Sequence, residues 1–234
     1  MKEILCFGDS NTYGLIPGTT RRYGWGVRWS SLLDEKVKEY GYRVAEEGLC
    51  GRTTMFADAF RPGRSGIDML PAILETHRPL ELVVLMLGTN DCKSACHTTP
   101  EKIGAGIERL LDQIKRENEN LPVLLISPIH LGEDVERYDR EFNEHSVEVS
   151  RGLKDVYEKI ARKRGIDFLA ASDVAEPSSR DREHMDEESH RRFADQEHLT
   201  EKGHQQLAEA IFEKVREILQ EKEDSRWIGN VFCA

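Results

Sequence analysis

Ile4-Leu5-Cys6-Phe7-Gly8-Asp9-Ser10-Asn11-Thr12-Tyr13-Gly14 is an apolar run cut off by four small, turn-forming residues. Glycine tolerates backbone conformations closed to other residues, and Asp, Ser and Asn side chains bond to nearby main chain, so the strand stops here. The stretch reads as a strand that turns into a helix, and its serine has two readings. Serine in such a turn is most often a helix N-cap. It can also be a hydroxyl presented to a substrate, and the rest of the chain has to choose between them.

Similar apolar runs recur near Arg43–Glu46, at Leu82–Leu87, at Val123–Ser127 and at Phe168–Ala171. They are short, rich in Val, Ile and Leu, and mostly lack a polar alternation, as strands buried on both faces do. Between them lie helical stripes: Trp29, Leu32, Leu33, Val37 and Tyr40; Ile103, Ile107, Leu110, Leu111 and Ile114; Val149, Leu153, Val156 and Ile160; and Leu207, Ile211, Val215 and Ile218. Strands alternating with helices predict an α/β fold on a parallel sheet. No repeat or linker divides the 234 residues, so one domain over 1–234 is expected. Two segments look irregular, Gly14–Gly26 and Ala175–Leu199. The second is long for a connection, so either a functional or a disordered loop is expected there, with room for a short helix around Asp186–Phe193.

Composition removes several functions. With 43 acidic and 33 basic side chains the net charge is −10, which is wrong for a general binder of nucleic-acid phosphates. No apolar run approaches the ~18 residues of a membrane span. Met1 is followed at once by the first expected strand, without a secretory pattern, and a cytoplasmic protein is expected. Cys6, Cys50, Cys92, Cys96 and Cys233 are odd in number and lack a zinc spacing, so free thiols are expected. No metal is expected at Cys92 and Cys96.

In a doubly wound sheet, ligands bind beyond the carboxyl ends of the strands. The segments there are Gly8-Asp9-Ser10, then Glu46-Glu47-Gly48-Leu49-Cys50-Gly51-Arg52-Thr53, then Gly88-Thr89-Asn90-Asp91, then Pro128-Ile129-His130, and finally Asp195-Gln196-Glu197-His198-Leu199-Thr200. A parallel sheet brings all five to one edge. That edge holds a hydroxyl, glycine-flanked amides, a side-chain amide, a carboxylate and an imidazole, which are the parts acyl transfer needs.

The combination resembles the SGNH branch of the GDSL hydrolases, a family of serine esterases and lipases. Gly8-Asp9-Ser10-Asn11 looks like its first block, Glu46–Thr53 its second, Gly88-Thr89-Asn90-Asp91 its third and Asp195-x-x-His198 its last, in order over nearly the whole chain. Glu46-Glu47-Gly48-Leu49-x-x-Arg52-Thr53-Thr54 and Met86-Leu87-Gly88-Thr89-Asn90-Asp91 further resemble the arylesterase and acyltransferase subgroup. The chain departs from the pattern at Gln196, where the last block usually carries glycine, and at Glu46, where many members have Asn. The resemblance implies a three-layer α/β/α sandwich with a five-stranded parallel sheet in flavodoxin-like order. It implies a carboxylic ester hydrolase without a cofactor, whose partner is a small-molecule ester with a short acyl, aryl or acetyl group, and it makes a homo-oligomer plausible. Hydrolysis and acyl transfer are both open, as is a lysophospholipase- or thioesterase-type activity on longer chains.

The resemblance also assigns roles. Ser10 is the candidate nucleophile, His198 the general base and then acid, and Asp195 the group that orients His198. The oxyanion donors are the backbone N–H of Ser10 and Gly51 and the side-chain amide of Asn90. Each has a plainer alternative: a helix cap, a surface histidine, a solvated acid, turn residues. Thr200 reads as the cap of the last helix. Asp9 and Asp91 read as acids that tie down their turns. Tyr13, Leu15, Trp25 and Trp29 are candidates for lining the substrate pocket, against the commoner reading of such residues as core. Cys50 is a rival nucleophile, placed where the oxyanion hole is expected. His184, Asp186, His190, Asp195 and His198 form a run with metal-ligand residue types, but the six-residue step from His184 to His190 does not suit one helical face. A non-catalytic binding module of the same fold is the third alternative.

Overall fold

A computed structural model describes residues 1–58, 60–178 and 194–232. Five strands form one sheet: β1 Lys2–Gly8, β2 Tyr42–Gly48, β3 Leu80–Met86, β4 Val123–Ser127 and β5 Asp167–Ala170. Their order is β2-β1-β3-β4-β5, every neighbouring pair is parallel, and this is the flavodoxin-like order expected. Among the described residues six α-helices accompany them: α1 Ser10–Tyr13, α2 Trp29–Val37, α3 Gly66–Thr76, α4 Pro100–Glu117, α5 Glu144–Arg164 and α6 Glu201–Phe232.

The central strands β1, β3 and β4 are largely apolar and buried because both of their faces are covered. Leu5 and Phe7 of β1 join Val83 and Leu85 of β3 under α3, α4 and α5, against Leu70, Leu74, Ile107, Leu110, Leu153 and Tyr157. Ile4 and Cys6 face the other way with Leu82, Val84, Leu124 and Ile126, under Trp29 and Leu33 of α2 and Leu207, Ile211 and Val215 of α6. Successive residues of one strand thus serve two cores, and each fully buried aliphatic side chain contributes ~1.5–3 kcal/mol of transfer free energy. Register then sets the business end. Gly8 lies opposite Gly48 of β2 and Met86 of β3, so three strands stop together and their following loops emerge side by side.

Some expectations need correction. The first stripe ends at Val37; Tyr40 belongs to a 3₁₀ turn, is exposed, and lies beside Phe212 with ring centres 6.1 Å apart. Helix α3 has no counterpart among the predicted stripes. Its apolar side carries Ile67, Leu70, Ile73 and Leu74, but Pro71 interrupts the pattern, and proline inside a helix normally breaks it. Proline cannot donate to the carbonyl four residues back, that of Ile67. Gln113 of α4 donates to that carbonyl instead, at 2.7 Å, so the helix continues through the proline. Among the described residues no helix is long and apolar enough to cross a membrane. The helix expected around Asp186–Phe193 and the thiol of Cys233 lie outside the described residues. Cys6, Cys50, Cys92 and Cys96 are free thiols.

Candidate active site

The turn after β1 is built by its small residues. A Cβ on Gly8 would come 2.0 Å from the Thr12 hydroxyl and 2.7 Å from the Met86 carbonyl, so only glycine fits where β1, β3 and α1 meet. Asp9 Oδ1 accepts the Asn11 backbone N–H at 3.0 Å, which opens α1 with Ser10 as its first residue. Gly14 closes the helix at φ 79°. Ser10 is therefore fixed at the tip of β1, yet its side chain does not cap the helix; Asp9 does.

The last block arrives from the far end of the chain. His198 Nε2 lies 2.8 Å from Ser10 Oγ, and His198 Nδ1 lies 2.8 Å from Asp195 Oδ2. All three are buried, Ser10 to 3 % exposure and His198 to 5 %. The three-residue spacing closes because the chain turns back over the Asp195 carboxylate. Asp195 Oδ1 accepts the N–H of Glu197 at 3.0 Å and of His198 at 2.9 Å, and the Ser178 hydroxyl at 3.0 Å. Oδ2 also accepts the N–H of Gly18 at 2.8 Å, from the irregular Gly14–Gly26 segment. Gln196, at the apex, has φ 62°. That is the left-handed conformation glycine adopts freely, which gives a physical reason for glycine at this position in the usual motif. Here the apex is held from outside. Its N–H donates to Ser178 O, its carbonyl accepts Gly132 N–H at 2.8 Å, and its side chain fills the space where a Cβ on Gly132 would stand.

Asn11 joins the two ends. Its side-chain N–H donates to the Glu197 carbonyl at 3.2 Å, and its side-chain oxygen accepts the Leu199 N–H at 3.0 Å. The amide thus grips the backbone on both sides of His198. Thr200 accepts the Gly203 N–H at 3.2 Å and starts α6 immediately after the imidazole.

The second and third loops interlock beside Ser10. Arg52 Nη1 donates to Gly8 O at 2.8 Å, and its guanidinium lies 4.1 Å from the centre of the Phe7 ring. Both Asp91 oxygens accept the Thr54 N–H, at 2.9 and 3.0 Å. Asn90 donates one side-chain N–H to Arg52 O at 3.2 Å, leaving its second for a ligand. Gly51 sits at φ 81°, and among the described residues no acceptor takes the backbone N–H of Ser10 or Gly51. Asp9 does tie down its own turn, whereas Asp91 ties the second loop to the third through Thr54. Glu46 lies outside this cluster: it pairs with Arg28 at 2.6 Å and accepts the Ser30 hydroxyl, joining β2 to α2.

Electrostatics separates the candidates. Burial favours a neutral Asp195, but the hydrogen bond and charge of His198 and the surrounding N–H donors outweigh it and hold the carboxyl well below its usual range. Burial opposes charge on His198, while Glu197 and then Asp195 raise it, to about 9. The Cys50 thiol is pushed up to about 11, first by burial and then by the Asp9 charge, which leaves little thiolate and disfavours the rival nucleophile. His204, packed edge-on to Tyr23, is driven down to about 3 by burial and accepts the Trp29 N–H through Nδ1; it is a neutral structural histidine.

Among the pocket candidates, Trp29 is fully buried in the core under α2. Tyr13 and Leu15 are half-buried beside Ser10, with the Arg22 guanidinium over the Tyr13 ring and the Leu15 N–H on Ser10 O at 3.0 Å. Trp25 is exposed and lies against Arg28 and Lys38. Of the metal-type run, His184, Asp186 and His190 fall outside the described residues, and Asp195 and His198 are engaged with each other and with Ser10. Asn11, Gly18, Ser178 and Glu197 received no role in the sequence reading. Asn11 alone carried a signal, as the fourth residue of the opening motif.

A family model described as the GDSL-like Lipase/Acylhydrolase family matches residues 6–206. No curated protein sequence matches the chain. The solved aryl esterase of M. smegmatis is 31 % identical over 93 % of this chain and 100 % of its own, with a TM-score of 0.82. Est24, a carbohydrate acetylesterase from Sinorhizobium meliloti, is 30 % identical over 93 % and 100 % of the two chains, also with a TM-score of 0.82. A lipolytic G-D-S-L protein from Veillonella parvula, at 14 % identity and a TM-score of 0.61, shares the fold alone.

Proposed function

The chain belongs to the GDSL-like lipase/acylhydrolase family, and from that premise we propose that it is a serine esterase acting on small carboxylic esters through an acyl-enzyme on Ser10. The observation that carries this reading is the continuous Ser10–His198–Asp195 relay, with both steps at 2.8 Å in a buried site. His198 Nε2 takes the hydroxyl proton as Ser10 Oγ bonds to the ester carbonyl carbon. The carbonyl oxygen becomes an oxyanion and receives the N–H groups of Ser10 and Gly51 and the second N–H of Asn90. Asp195 stays ionised, keeps the Nδ1 proton facing it and stabilises the imidazolium. The tetrahedral adduct then collapses. The bond to the alkoxy oxygen breaks, His198 returns the proton to the departing alcohol, and the acyl group remains on Ser10. Water, deprotonated by His198, releases the acid and restores the hydroxyl; an acceptor alcohol in its place gives acyl transfer. None of these steps calls for a cofactor.

A substrate with a short acyl group on an aryl or sugar alcohol is the reading supported by relatives named as an aryl esterase and a carbohydrate acetylesterase. Tyr13 and Leu15 are the pocket residues best placed for such a substrate. An acyl series from C2 to C12 on p-nitrophenol, with sugar acetates and acyl-CoA added, tests this; rates highest at the short end are expected, and a maximum at long chains or on the thioester overturns the short-chain assignment. Asn90→Ala should lower kcat by ~10²–10³ with little change in KM, since the donor serves the transition state. A rise in KM alone would make Asn90 a substrate-binding group instead.

A further inference from the structure

Glu197 lies between Asp195 and His198 on neither side of the relay, yet its side chain turns inward and is 6 % exposed. Its Oε2 stands 3.7 Å from His198 Nδ1. That is too long for a hydrogen bond, and Asp195 already holds the Nδ1 position at 2.8 Å. Among the described residues the Glu197 carboxylate accepts no hydrogen bond, and its one ion-pair partner is His198. A carboxylate this little exposed, with no protein donor, is stabilised most by a cation that faces it. The only group in the relay that becomes a cation during turnover is the imidazole.

We propose that Glu197 is a positioning residue, a second carboxylate that acts through His198 by stabilising its imidazolium form and makes the base respond to Glu197's own charge. This rests on the serine-esterase reading. The imidazole then answers to two carboxylates with different duties. Asp195 is saturated with donors and remains an anion at any working pH. Glu197 has no donors, so its ionisation and that of His198 are linked, each favouring the charged form of the other. Burial, opposed by His198 and supported by Asp195, raises Glu197 to about 7, inside the range where an esterase is assayed. The other groups facing the pair come from several elements. Asp9 lies in the turn after β1, Cys50 in the loop after β2, and Cys92 and Lys93 after β3; Asp139 precedes α5 and His204 lies on α6. The Lys93 ammonium is paired to Glu141 at 2.5 Å, which blunts its effect on Glu197. The sign follows directly. The base works only when neutral, so an anionic Glu197, by favouring imidazolium, moves the loss of activity in acid to higher pH.

The test is the pH dependence of kcat/KM on p-nitrophenyl acetate for the unaltered chain, Glu197→Gln and Glu197→Asp. In Glu197→Gln the acid limb should move down by about 1–3 pH units, the range for loss of one nearby opposite charge, with the plateau kcat falling several-fold. Glu197→Asp should restore part of the shift. An acid limb that does not move, even with a lower plateau, reduces Glu197 to a packing role and overturns the proposal. Should Glu197→Gln fail to fold, NMR titration of the His198 ring protons in the unaltered chain decides. Two linked steps are expected, and a single step at the ordinary imidazole value overturns it. The titration needs no turnover. If Ser10→Ala leaves hydrolysis intact, the esterase reading falls, while the NMR result still judges the coupling of Glu197 to His198.

Discussion

The turn that carries Ser10 and the loop that carries His198 meet at the Ser10–His198 contact and at the two Asn11 hydrogen bonds, but are held in opposite ways. The Ser10 turn holds itself. Asp9 caps Asn11 two residues on, the Tyr13 N–H bonds to Asp9 O at 2.9 Å, and the Gly14 and Leu15 N–H groups bond to Ser10 O at 2.8 and 3.0 Å. The His198 loop is suspended from elsewhere: from Asn11, Gly18 and Ser178 through its side chains and backbone, and from Gly132 through the Gln196 carbonyl. A nucleophile on a rigid strand end and a base on a loop tied by distant contacts divide the work. The first sets where the reaction occurs, and the second sets whether the proton can move.

Three substitutions test that division, in falling order of effect. Ser10→Ala removes the attacking atom without touching the bonds that hold the turn. Turnover of p-nitrophenyl acetate should fall by about 10⁴-fold or more with an unchanged melting curve. Near-normal turnover would remove Ser10 from the mechanism. Asn11→Ala cuts the tie between the two regions, leaving the Leu199 N–H and Glu197 carbonyl without their partner. Two lost buried hydrogen bonds should cost about 2–4 kcal/mol in chemical denaturation and should lower kcat, because His198 is no longer gripped on both sides. Stability lost with kcat unchanged would mean that the loop is set by Gly18, Ser178 and Gly132 alone. Gln196→Gly relaxes a left-handed residue but empties the space against Gly132, so the two effects oppose each other. A stability change within about 1 kcal/mol and nearly unchanged kcat are expected. A large loss in either would make the Gln196 side chain a structural prop of the loop.

The same contrast explains what the sequence could and could not disclose. The central strands were legible because Ile4–Phe7, Leu82–Leu87 and Val123–Ser127 are buried on both faces and lack alternation. The parallel order then brought Ser10, Gly51 and Asn90 to one edge. Helix α3 was hidden because Pro71 mimics a break, and the Gln113 side chain that mends it comes from another helix. Residue types in the motifs pointed to the relay itself. The supports of the His198 loop were not legible, since the Asn11 contacts span 186 and 188 residues and the Gly18 contact 177. Glu197 was passed over for a related reason. It follows a strongly acidic stretch, and nothing in the order of residues tells a buried carboxylate from a solvated one.

The central claim is that Ser10 is the atom that takes the acyl group, activated by His198. Mass spectrometry of the chain after reaction with a serine-reactive phosphonate measures this most directly, with peptide mapping of the adduct. A single adduct on the peptide containing Ser10, formed in step with loss of ester turnover and absent from His198→Ala, is the result predicted. Full loss of turnover with the adduct on another residue, Cys50 included, or full turnover with Ser10 modified, would contradict it.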